Sequence, residues 1–88
     1  MTVEEKWFTY ILTCSDDTLY TGVTTNVERR VSEHNNKKNK AAKYTWARRP
    51  VSLSWFDGPF EKSKAYKLEV SIKKMSRSDK LSFIKVDQ

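Results

Sequence analysis

Five side chains carry functional groups that phosphate chemistry uses, and four of them fall within one stretch. Tyr10, Tyr20, Arg30 and His34 lie between Phe8 and Asn35, FTYILTCSDDTLYTGVTTNVERRVSEHN, and Glu69 follows on a later segment. A phenol donates or accepts a proton, a guanidinium grips oxyanions through a fork of N–H groups, and an imidazole titrates near neutrality. Each has a plainer reading. Arg30 is an ordinary surface arginine unless an anion sits over its flank of the helix. His34 suits a packed or exposed histidine better than a metal ligand, because no second His or Cys stands nearby. Glu69 follows Leu68 of an apolar stripe, so it is either a boundary charge or an acid held against a semi-buried site.

The charge balance points to a polyanionic partner. A net charge of +6 and a pI near 9.6 suit nucleic acid, the commonest such partner. Lys37, Lys38, Lys40, Lys43, Arg48 and Arg49 are clustered without an intervening acid, and Tyr44 and Trp46 are interleaved with them. Cations beside aromatics can pair phosphates and stack on exposed bases, although a merely solvated basic loop has the same composition. The lone Cys14 cannot form an internal disulfide, which suits a reducing cytoplasm, and its place beside a turn favours a buried filler over a nucleophile. A mean hydropathy of −0.76 and the lack of a long apolar run exclude a membrane-spanning helix. The start, MTVEEKW, lacks the basic-then-apolar order of a signal peptide. Residues 1–88 are expected to form one small domain with its core at about 7–84, a sheet covered by helices.

The elements that must position these groups follow from local pattern. Residues 6–14 are rich in aromatic and β-branched side chains and read as a strand with both faces occupied. Ser15 to Thr18 is turn chemistry, and Leu19 to Thr24 returns as the second strand of an antiparallel hairpin. Gly22 weakens that strand, so it marks a bulge or a close approach by another group. With a two- or four-residue loop, Tyr10 would face Val23 and Tyr20 would face Thr13, which sends the two phenols to opposite sides. An odd loop or a bulge would put them on one side. Thr25 and Glu28 match a capping box for a helix from about Asn26 to about Lys37, with Val27 and Val31 inward and Arg30 and His34 together on a flank. Residues Asn35 to Lys43 read as a loop with a helical turn near Ala41–Ala42. Val51 to Phe56 alternates as a third strand, stopped by Asp57-Gly58-Pro59. A helix from Ser63 to Met75 shows Ala65, Leu68, Ile72 and Met75 at helical spacing. Ser76 with Asp79 starts a last short one.

These residues in this order resemble the GIY-YIG nuclease superfamily. Phe8-Thr9-Tyr10, Tyr20-Thr21-Gly22 and Arg30 match its signature. Glu33-His34-Asn35, Ala42-Lys43-Tyr44-Thr45, Arg48-Arg49-Pro50-Val51 and Ile72-Lys73-Lys74-Met75-Ser76 are similar to its small stand-alone bacterial YhbQ/YazA-like branch. The resemblance spans roughly Trp7 to Ile84. It implies an α+β fold, a three-stranded antiparallel sheet flanked by helices in the order β-β-α-β-α-α. It also implies a nuclease that hydrolyses phosphodiester bonds in DNA with Mg²⁺ or Mn²⁺, in repair or recombination.

Carried over by position, Tyr10 and Tyr20 are the signature tyrosines, Arg30 the arginine of the first helix, and Glu69 the metal-holding glutamate. Such a site needs both tyrosines on one face. Tyr20 would orient or deprotonate the attacking water, with help from a cation because a free phenol has a pKa of about 10. His34 is the alternative base. The first motif lacks the glycine and isoleucine that name the family, threonine takes the middle place of the second, and Val23 stands where some repair nucleases have lysine. Two other readings use the same residues: a nucleic-acid-binding module without catalysis, and a scaffold that binds another protein.

Overall fold

The computed structural model describes residues 6–86, so residues 1–5 of the acidic start lie outside the described part. The order is β1 (Trp7–Thr13), β2 (Leu19–Thr24), α1 (Val27–Asn36), α2 (Lys43–Trp46), β3 (Ser52–Phe60), α3 (Lys62–Lys73) and α4 (Arg77–Val86). The three strands form one antiparallel sheet in the order β2-β1-β3. This is the expected α+β architecture, with helices on both faces.

Strand β1 is central, and this explains its unbroken run of buried residues from Thr9 to Leu12. Alternate residues point to opposite faces. Tyr10, Leu12 and Cys14 pack with Val51, Tyr20 and the Val31 side chain of α1 on one face. Ile11 packs with Trp55, Ile72 and Ile84 on the other, where α3 and α4 lie. Thr9 Oγ1 donates to the Ala65 carbonyl at 2.8 Å and pins β1 to α3. Cys14 is buried, and burial pushes its thiol above the ordinary value, as suits a filler.

Three local expectations need correction. The cap of α1 is Asn26, whose side chain accepts from the Arg29 N–H at 3.0 Å, and not Thr25. Strand β2 stays paired as far as Thr24, whose hydroxyl accepts from Asn26 N–H at 3.1 Å, so the helix begins one residue later. Asp57-Gly58-Pro59 does not end β3. Trp7 pairs with Phe60 and Thr9 with Asp57, so these residues form a bulge inside a longer strand. Gly58 has φ +135°, and a Cβ there would lie 2.7 Å from the Trp7 carbonyl oxygen. Thirdly, the basic segment contains the short helix α2, which starts one residue beyond the expected Ala41–Ala42 turn.

Candidate active site

The β1–β2 register decides which side each phenol takes. Tyr10 is opposite Gly22 and Leu12 is opposite Tyr20, so the turn holds Cys14 to Thr18, an odd number. Asp17 adopts φ 65°, the Cys14 N–H donates to the Thr18 carbonyl at 2.8 Å, and the Thr18 hydroxyl donates to Asp16 at 2.6 Å. Short side chains that bond their own backbone make this turn. Tyr10 and Tyr20 therefore share a face, with ring centroids 6.5 Å apart. Gly22 is explained by close approach: a Cβ there would lie 2.5 Å from the Tyr10 hydroxyl. The β1–β2 ladder has no bulge.

Helix α1 covers this face. Its deepest residue is His34, with 0% exposure. Val27, Val31 and His34 are spaced i, i+4, i+7, so the histidine belongs to the inward stripe rather than to its flank. His34 Nε2 is 2.9 Å from the Tyr10 hydroxyl and Nδ1 is 2.7 Å from Thr45 Oγ1. Thr45 has one hydroxyl proton and gives it to the Ala42 carbonyl at 2.9 Å. Nδ1 then carries the ring proton, donating it to Thr45, and Nε2 accepts from Tyr10. The Ala42 N–H, 3.4 Å from Nδ1, is the loosest contact in the group. Burial pulls the His34 pKa down to about 4, and the Arg30 charge adds to the effect. His34 is thus a neutral packed ring. Its ring is fully enclosed, which weighs against the expected role of alternative base.

Arg30 lies one turn before His34. Its Nη1 donates to Glu33 Oε1 at 3.1 Å and to the Lys40 carbonyl at 2.7 Å, and its charge is felt at the Tyr10 hydroxyl. Burial lowers the Arg30 pKa, but the bond to Glu33 and the neighbouring Tyr10 outweigh it and raise the balance. Burial, with the neighbouring Tyr20, pushes the Tyr10 hydroxyl up to about 12; Arg30 opposes this rise and the Glu69 charge adds to it. Thr45, His34 and Tyr10 are therefore one hydrogen-bonded line from α2 to the central strand.

Glu69 approaches from α3. Tyr66, Glu69 and Lys73 follow one side of that helix at i, i+3, i+7. Tyr66 lines a cleft of about 330 Å³ with Val23, Thr24 and Arg30, and Lys73 lines another of about 240 Å³ with Tyr20 and Thr21. Both clefts open along β2, the edge strand, and Glu69 falls between them on α3. Its side chain is 14% exposed, and Oε2 is 3.3 Å from Lys73 Nζ. Among the described residues no three His, Cys, Asp or Glu converge on an ion site. The donor available is the single hard carboxylate of Glu69, whose charge is felt at Tyr10, and it suits Mg²⁺, an ion that takes one or two carboxylates and keeps its waters.

The basic segment contributes differently from expectation. Tyr44 stacks on Tyr20 at 6.1 Å and 26°, and Tyr20 meets the edge of His34 at 5.3 Å. Arg48 lies 3.8 Å from the Tyr44 ring centre and pairs with Asp16 at 3.0 Å, and Arg49 lies 3.3 Å from the Trp46 ring centre. The aromatic faces expected to receive bases thus already carry guanidinium groups. Lys37, Lys38, Lys40 and Lys43 are exposed. Sequence reasoning missed Thr45 and Asn35. The Asn35 side chain bonds both the N–H and the carbonyl of Val51, at 2.8 and 2.9 Å, and fixes α1 to the start of β3.

Comparison with other proteins is consistent with this geometry. The profile of the GIY-YIG catalytic domain matches residues 6–82. A UPF0213 protein of Syntrophus aciditrophicus is 52% identical over 91% of this chain and 91% of its own length. One from Desulfotalea psychrophila is 45% identical over 93% of this chain and 74% of its own. Two solution NMR structures are similar. A UPF0213 protein of Bacillus halodurans has a TM-score of 0.59 at 36% identity, covering 92% of this chain and 84% of that one. A protein of E. faecalis has a TM-score of 0.63 at 34% identity, covering 98% and 90%.

Proposed function

This chain belongs to the GIY-YIG catalytic-domain family, and on that premise we propose that it is a divalent-metal-dependent nuclease hydrolysing phosphodiester bonds in DNA. The observation that carries the reading is the shared face of Tyr10 and Tyr20, where the charges of both Arg30 and Glu69 are felt at the Tyr10 hydroxyl.

The two tyrosines would do different work. Tyr10 is buried, its hydroxyl keeps its proton well above neutrality, and it gives that proton to His34 in a hydrogen bond. It is a positioning residue. The line Thr45–His34–Tyr10 fixes α1 against the central strand, and Glu33 and the Lys40 carbonyl hold the Arg30 guanidinium. A guanidinium held in advance stabilises the developing charge on non-bridging oxygens without reorganising during the reaction. Tyr20 is the half-buried phenol at a cleft, so it can touch substrate and orient or deprotonate the attacking water. Glu69 would hold Mg²⁺ or Mn²⁺, and the bound ion would polarise the phosphoryl group and assist the departing oxygen. The exposed lysines of the basic segment would track the DNA backbone.

A second reading, a binding module without catalysis, draws on Arg30 itself, because its Nη1 already satisfies Glu33 and the Lys40 carbonyl. Plasmid nicking separates the two. Purified protein with Mg²⁺ or Mn²⁺ should nick supercoiled plasmid, and Glu69→Ala and Tyr20→Phe should suppress nicking while circular dichroism stays native. Binding that persists in Glu69→Ala, with no cleavage by the wild type in either metal, would replace the nuclease reading with the second.

A further inference from the structure

The cleft of about 240 Å³ at the Leu19 end of β2 contains groups that the proposed reaction leaves unused. Tyr20 and Tyr44 form one wall, and Lys73 of α3 and Lys80 of α4 face them. Lys80 is half-buried and has no ion pair among the described residues, whereas Lys73 is held by Glu69 at 3.3 Å. Thr21 Oγ1, in the same lining, is buried without a hydrogen-bond partner. Strand β2 pairs only with β1, so its outer backbone groups also face this side. An ammonium that is half-buried with no counter-ion among the described residues, and an unsatisfied hydroxyl lining the same cleft, create local demand for an anion with several acceptor oxygens. The space is smaller than the 300–1,000 Å³ typical of small-molecule sites. It fits one sugar-phosphate unit of a chain better than a free metabolite.

We propose that Lys80, with Lys73 and Thr21, forms a second backbone-phosphate site. It would hold the nucleotide next to the reaction centre and lead the strand along the edge of β2 towards α4. The inference rests on the nuclease reading for the identity of its ligand, and it adds a cationic surface on α3 and α4 to that of residues 37–49. A strand held here passes Tyr20 and Glu69 in turn and continues into the larger cleft beside Arg30 and Tyr66. The half-burial of Lys80 and the small volume of the cleft favour a single strand over an intact duplex. The substrate class would be DNA with an unpaired segment at the cut.

The test is binding without cleavage. Fluorescence anisotropy with a labelled short oligothymidylate, in EDTA and over a series of salt concentrations, compares wild type with Lys80→Gln, Lys80→Arg and Lys85→Gln. Lys85 is exposed on α4 and outside the cleft lining, so it reports generic loss of charge. Lys80→Gln should weaken binding several-fold and reduce the salt slope by about 0.7, the contribution of one single-strand phosphate contact. Lys80→Arg should restore both, and Lys85→Gln should leave the slope close to wild type. Amide resonances from Leu19 to Thr21 should shift on addition of the oligonucleotide. An equal effect of Lys80→Gln and Lys85→Gln, or shifts confined to residues 37–49, would overturn the site. Because no turnover is needed, a protein that fails to nick plasmid but shows the Lys80 effect loses the nuclease reading and keeps the phosphate site.

Discussion

His34 offers a measurement of how the site is built. It is the only histidine in the chain, so its titration is a single resolved NMR signal. In the unfolded chain it titrates near 6.5, and in the folded protein burial lowers this to about 4. Above pH 6.5 the ring is neutral in both states and the arrangement is fully retained. As pH falls below 6.5 the unfolded chain takes up a proton that the folded one refuses, and stability declines by about 1.4 kcal/mol per pH unit until the folded ring protonates near 4. The total is about 3 kcal/mol, a large part of the about 4–13 kcal/mol expected for an 88-residue domain.

Urea denaturation of wild type and His34→Gln at pH 7, 6, 5 and 4 measures this loss. Glutamine keeps a polar partner near the Tyr10 hydroxyl and removes the titration. Wild type should therefore lose about 3 kcal/mol more than the variant between pH 7 and pH 4. The comparison cancels Asp16 and Glu33, whose lowered carboxyl pKa values affect both proteins alike. Parallel stability curves, or an NMR titration midpoint near 6.5 in the folded protein, would refute a buried neutral histidine beneath Tyr10.

Other outcomes follow from single contacts. Gly22→Ala places a methyl 2.5 Å from the Tyr10 hydroxyl, opposite a strand that cannot recede, and should cost roughly 1–3 kcal/mol in thermal or urea melts; wild-type stability would contradict the close approach. Thr45→Val removes the partner of His34 Nδ1 and should cost about 1–3 kcal/mol. The His34 signal should also report the change of environment. Tyr20→Phe should lower the nicking rate by about 10²–10⁴-fold, the usual worth of acid–base assistance, with DNA affinity little changed. Gln at Lys37 or Lys38 should each flatten the salt dependence of duplex binding by about one unit, and an unchanged slope would remove that lysine from the DNA surface.

The sequence by itself determined most of the elements and the family. Alternating aromatic and β-branched residues specified the hairpin, and apolar spacing specified α1 and α3. The motif tyrosines, Arg30 and Glu69 could be named as candidates because residue type and order carry the family signal. The spacing of Val27, Val31 and His34 already contained the buried histidine, since seven residues complete two turns. Tertiary structure decided what local pattern leaves open. The odd turn put Tyr10 and Tyr20 on one face, and one residue more or less would have reversed every side chain of β2. The bulge at Gly58 kept β3 going where turn chemistry suggested a stop. Thr45 in a lysine-rich segment, and Lys80 on the last helix, acquired meaning only from neighbours distant in sequence. Hydrogen-bond partners and counter-ions are properties of assembled space, and a strand's neighbours across a sheet cannot be read from the residues beside it in the chain.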